Sequence, residues 1–198
     1  MPISSDTQNE IHVILREGGN FPPHYASFTM KWLTYNRTYN EIETGRDREK
    51  AIALAERFEH RWSEVENLAR ALVSLECIGG KRVPTSDLLQ PISEVKSATH
   101  YLRLQLGLET NIDPANCRFG GCERPEKKNL CNQVAIVPWN KSNIAALMRL
   151  VYQVRCSLVH GEKRLGRMNY QTNHDHDLVR FSDEIMTHFL TWINDELI

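Results

Sequence analysis

NKSNIAALMRLVYQVRCSLVHG, residues 140 to 161, decides the fold. Its apolar residues recur with the helical period, so that Ile144, Leu147, Leu150 or Val151, Val154 and Leu158 share one face. Asn140 or Ser142 supplies the polar start that a helix favours, and Gly161 is a natural residue just past its end. A half-buried strand would alternate with period two, and this segment does not.

The same period continues in both directions. After Pro22-Pro23, HYASFTMKWLTYNRTYNEI places Phe28, Trp32, Tyr35, Tyr39 and Ile42 three or four apart, an aromatic-rich helical face. Gly45 breaks that pattern, and Asp47 can cap the next helix. Ala51, Leu54, Ala55, Phe58, Trp62, Val65, Leu68, Leu72 and Leu75 then form a stripe, as one long helix or as two with a bend near Trp62. KRVPTSDLLQP reads as turn-rich, and SEVKSATHYLRLQL reads as a helix ending at Gly107. QVAIVPW reads as a short extended piece ending at Pro138. EKRLGRMNYQTNHDHD reads as a polar loop. The closing helix, LVRFSDEIMTHFLTWINDEL, has Asp177 as its cap and Leu178, Phe181, Ile185, Phe189 and Trp192 as its buried stripe.

The expectation is an all-α bundle, one helical domain over residues 1–198. It has an irregular cysteine-containing loop or insertion at 108–138 and a C-terminal helical pair at 140–196. Hydrophobic residues make up 41% of the chain and charged residues 25%, within the range of ordinary globular domains. The formal net charge is −1, so any contact with a polyanion has to come from a local patch. No apolar run approaches a membrane span. MPISSDTQNEIHVILREGG carries Asp6 and Glu10 and lacks the apolar core of a signal peptide, so a cytoplasmic location is expected. Five cysteines, an odd number, argue against a disulfide framework.

Arg155 and His160 are the residues most suited to chemistry. In a regular helix five positions turn about 500°, which leaves the two side chains roughly 140° apart. Their axial separation is about 7 Å, however, and a last turn loosened before Gly161 can bring the imidazole round, so that one phosphate touches both. Histidine exchanges protons near neutral pH, and arginine presents a bidentate fork to phosphate oxygens. From Arg149 to Arg167 there are five bases, Arg149, Arg155, Lys163, Arg164 and Arg167, against the single acid Glu162. That local excess suits RNA. The plainer alternative is a histidine at a helix C-terminus and an arginine on a solvated face.

Three further clusters carry alternatives. CRFGGCERPEKKNLC supplies Cys117, Cys122 and Cys131, three ligands for a structural zinc, with His100 or a dimer mate as the fourth. Read otherwise, the three are free thiols. NHDHD, with His174, Asp175, His176 and Asp177, offers groups for a divalent ion, although a capping role already explains Asp177. Trp32, Tyr35 and Tyr39 form either a base-stacking platform or a core face, and helical spacing favours the core.

VYQVRCSLVHGEKR, followed by a polar loop and DHDLVRFSDEIMTHFL, resembles the C-terminal half of a HEPN domain. That family pairs an arginine and a histidine separated by four to six residues, often within RNxLFHG; here four residues separate Arg155 from His160. HDLV at 176–179 resembles the start of the family's closing helix, and WLTYNRTYNEI resembles its early W-x-x-F-N-x-x-Y helix. Residues 45–139 have no counterpart. The resemblance implies an all-α homodimer with two arginine–histidine motifs facing one cleft. It also implies metal-independent RNA cleavage of toxin or phage-defence type, with an antitoxin or regulatory protein as partner and no cofactor. On that reading His160 moves the proton and Arg155 binds the scissile phosphate. The family commonly has asparagine after the arginine. This chain has Cys156, whose thiol is a poor substitute for an amide in hydrogen bonding. Some relatives bind RNA, nucleotide or protein without cutting.

Overall fold

The computed structural model describes residues 23–75, 89–108, 137–159 and 170–197. Among these the fold is all-α. The helices are α1 (Pro23–Ile42), α2 (Asp47–Glu56), a 3₁₀ turn (Glu59–Arg61), α3 (Trp62–Ser74), α4 (Leu89–Gln105), α5 (Asn143–Val159) and α6 (Tyr170–Leu197).

The helix carrying Arg155 is the centre of the bundle. From Ile144 to Val151 every residue of α5 is buried, a wider face than the one stripe expected from the sequence. It packs against α2 and α4, with further contacts to α3 and α6. α6 rests mainly on α1 and α3, so the two C-terminal helices are held by the bundle more than by each other.

The start of α5 is fixed by side chains from two directions. Ser142 Oγ accepts from the Ala145 N–H at 3.1 Å, a local N-cap. Glu59, on the 3₁₀ turn, accepts from the N–H groups of Asn143 (3.1 Å) and Ile144 (2.9 Å). A carboxylate there meets the positive end of the helix dipole. α4 ends as expected at Gly107, which sits at φ 67°. The Leu108 N–H returns to Arg103 O (2.8 Å) and the Gly107 N–H to Leu104 O (3.0 Å), a Schellman closure that suits glycine.

The stripe through Trp62 is the second of the two arrangements the sequence allows, two helices, here separated by the 3₁₀ turn. Several boundaries differ from the sequence reading. α4 starts at Leu89 and so takes in Pro91, whose missing N–H costs nothing within a first turn. α6 starts at Tyr170, which makes Asp177 an interior residue, ion-paired with Arg180 at 3.2 Å, and removes its capping role. Asp47 is not a cap either. Arg46 occupies the N-cap position of α2, and the Glu49 carboxylate reaches back to the Arg46 N–H at 3.2 Å. Ile42, which its spacing places on the aromatic-rich face of α1, is 43% exposed. No helix among the described residues is long and apolar enough to cross a membrane.

Candidate functional site

Arg155 lies near the C-terminal end of α5, half-buried, where that helix passes α1. Its guanidinium carbon is 5.8 Å from the ring centre of Trp32 on α1 and 5.8 Å from that of Tyr152, one turn earlier on α5. Each aromatic face attracts the cation through its quadrupole. Nη1 makes a long contact of 3.8 Å to the Cys156 thiol, a weak acceptor. The Nε is buried with no hydrogen-bond acceptor among the described residues. No carboxylate among them lies within ion-pair distance of Arg155, whereas Arg37, Arg48, Arg57, Arg61, Arg70, Arg149 and Arg180 each have one.

The rings beside Arg155 belong to one cluster. Trp32 meets Tyr152 edge-on at 5.6 Å and Tyr39 at 6.4 Å. The Tyr152 hydroxyl donates to Asp47 Oδ2 at 2.9 Å, and the Tyr39 hydroxyl donates to Asp47 Oδ1 at 2.7 Å. Asn36 Nδ2 donates to the Tyr39 hydroxyl and, at 3.3 Å, to Asp47. Burial and the neighbouring carboxylate push both phenols well above their usual pKa, so both remain donors at neutral pH. Trp32, Tyr35 and Tyr39 are all buried, which makes them core and leaves no exposed ring for a base to stack on.

Arg149 does not belong to a basic surface. It is 1% exposed, and its Nε lies 3.3 Å from Glu94 Oε2, while Arg48 reaches the other oxygen of Glu94 at 3.2 Å. Burial, with Arg48 nearby, pushes its pKa down to about 10, so it stays charged at neutral pH. It joins α5 to α4 and is withheld from any polyanion. The sequence counts it in the basic patch because nothing local announces Glu94 as its partner.

The remaining expected site residues divide simply. His160 follows Val159 and lies outside the described residues, as do Lys163, Arg164, Arg167, Cys117, Cys122 and Cys131. His100, considered as a fourth zinc ligand, is buried within α4 at 2% exposure. The NHDHD segment is helical from end to end and its described side chains diverge. Asp175 is buried, His176 stands edge-on to Tyr25 at 5.3 Å, and Asp177 pairs with Arg180. No group of three or more metal-binding side chains forms among the described residues.

Asp47 and Tyr152 are the neighbours that sequence reasoning misses. Two signals point toward them. Arg149, Tyr152 and Cys156 are spaced three and four apart, which puts them on the same face of α5. The early W-x-x-Y-N-x-x-Y segment carries the tyrosine and asparagine that meet Asp47.

Compared with protein-family models, with curated proteins and with solved structures, the chain matches none.

Proposed function

We propose that this protein is a HEPN-like, metal-independent endoribonuclease of toxin or phage-defence type. It acts on single-stranded RNA as a homodimer with an Arg155/His160 site in the shared cleft. The observation that carries the reading is the state of Arg155. A half-buried guanidinium with aromatic faces beside it, a buried Nε without an acceptor and no carboxylate among the described residues is prepared for an anion. A phosphodiester is an anion that such a fork fits, and a histidine five positions on supplies the proton chemistry that selects it.

The reaction balances without a metal. A base, His160 of one protomer or its partner, takes the proton of the ribose 2′-hydroxyl. The 2′-oxygen forms a bond to phosphorus while the bond from phosphorus to the 5′-oxygen breaks, and the departing 5′-oxygen takes up a proton from an imidazolium, either the one just formed or that of His160 in the other protomer. The products are a 2′,3′-cyclic phosphate and a 5′-hydroxyl. Arg155 balances the charge that gathers on the non-bridging oxygens. Lys163, Arg164 and Arg167 would lead the strand in. An antitoxin or regulatory protein would cover the same cleft.

A non-catalytic reading, in which the same site binds RNA, nucleotide or a partner protein, draws on Cys156. Its thiol accepts weakly from Arg155 where the family commonly has an amide. RNA cleavage in EDTA by the wild type beside His160→Ala, with product ends analysed, decides between the two. Cyclic-phosphate ends that vanish in the variant support the nuclease. Binding that depends on Arg155, without cutting, supports the alternative.

A further inference from the structure

We infer that Asp47 and Tyr152 are positioning residues for Arg155. Asp47 anchors the hydroxyl of Tyr152, and the ring so fixed forms with Trp32 an aromatic clamp that presents the guanidinium to a phosphate. This rests on the reading of Arg155 as the phosphate-binding group and adds the device that holds it in place.

The clamp answers a physical problem. A free arginine side chain has many rotamers, and fixing one of them opposes binding. The common remedy is a carboxylate, but a carboxylate on the guanidinium neutralises it and fills the fork that a phosphate needs. Here the carboxylate stands one ring away. Asp47 accepts from Tyr152 at 2.9 Å, and Tyr152 holds Arg155 through its face at 5.8 Å. The guanidinium is constrained while its hydrogen-bonding edge meets, among the described residues, only the long contact to Cys156. A phenol that donates to a carboxylate also becomes more electron-rich, which strengthens the attraction of its face for a cation.

The same carboxylate steadies the second wall. Tyr39 donates to the other oxygen of Asp47 and packs on Trp32, whose face meets Arg155. One side chain at the start of α2 therefore orients rings from α1 and α5. Asp47 is exposed and Tyr152 is half-buried, so conservative changes at either position leave the buried core in place.

The test reads Arg155 directly. In ¹⁵N-labelled full-length protein, the Arg155 Nε–H and δ-proton signals should carry upfield ring-current shifts and show restricted motion. Tyr152→Phe and Asp47→Asn should each lose part of that shift and free the side chain, while backbone amide signals away from the site stay in place. In a His160→Ala background, which binds without cutting, each should weaken affinity for a short single-stranded RNA of mixed sequence about tenfold. Adding Asp47→Asn to Arg155→Ala should weaken it no further. Unchanged Arg155 signals in both variants, or a fully additive loss in the double variant, overturns the proposal. If the Arg155 signals respond as expected but RNA binds no better to the parent protein than to Arg155→Ala, the positioning stands and the ribonuclease reading falls.

Discussion

Glu59 accepts a hydrogen bond from the Ile144 N–H at 2.9 Å, across 85 positions of chain. With its second oxygen on the Asn143 N–H, this one carboxylate satisfies two of the N–H groups that the start of α5 leaves without helical partners. The turn that separates α2 from α3 therefore sets where the central helix begins. Glu59→Ala should destabilise the protein by about 1–2 kcal/mol, the cost of losing a helix cap together with its favourable dipole contact. Urea denaturation measures this, with Ser142→Ala as the companion. If Glu59→Ala unfolds at the wild-type midpoint, Ser142 alone suffices as the cap.

The helices are legible in the sequence because their cores are periodic. Phe28, Trp32, Tyr35 and Tyr39 fall on one face of α1 whatever lies opposite them, and the structure buries all four. The polar residues are harder to read. Asp47 stands where a cap belongs, but caps are decided by backbone geometry and competing acceptors, and two tyrosine hydroxyls claim its carboxylate. Arg149 looks available to a polyanion because its partner, Glu94, lies on another helix, and pairing at that distance leaves no local trace. Arg155 is singled out in the sequence by its spacing to His160. The rings that flank it are not, since Trp32 reads correctly as core and a core residue can still offer its ring to a cation.

The triad Arg48–Glu94–Arg149 predicts an order of costs. Glu94→Gln leaves two guanidinium groups facing each other, one of them buried, and should cost about 2–3 kcal/mol. Arg149→Met fills much of the same volume, removes a buried charge and leaves Glu94 to Arg48, so it should cost about 1 kcal/mol or less. Thermal denaturation of both variants checks the order. The reverse order would mean that the buried guanidinium contributes more than its desolvation costs.

Acid should loosen the contact between α3 and α6. The Glu64 carboxyl is held below its ordinary value of 4.5 by hydrogen bonds from Arg61 and from the Trp192 indole, the latter at 2.9 Å. A depressed carboxyl stabilises the fold fully above its unfolded pKa, and that contribution fades as pH falls through the folded value. Wild type should therefore be more stable than Glu64→Gln at neutral pH, and the gap should close on acidification to below 4.5. Melting curves of the two proteins across that range test it. A gap that stays constant with pH would assign the effect to packing of residue 64 rather than to its charge.

Arg155→Lys separates charge from shape. Lysine keeps the positive charge but loses the planar fork and the flat surface that lies over Trp32 and Tyr152. If the site recognises a phosphodiester as proposed, this substitution should weaken RNA binding nearly as much as Arg155→Ala, about tenfold or more, and should abolish most cleavage. If the residue instead contributes only general positive charge, Arg155→Lys should bind like wild type and weaken with salt along the same slope. Fluorescence anisotropy with a labelled single-stranded RNA, read at two salt concentrations in the His160→Ala background, distinguishes these outcomes. A lysine variant that binds normally would place recognition elsewhere, with Lys163, Arg164 and Arg167 as the next residues to change.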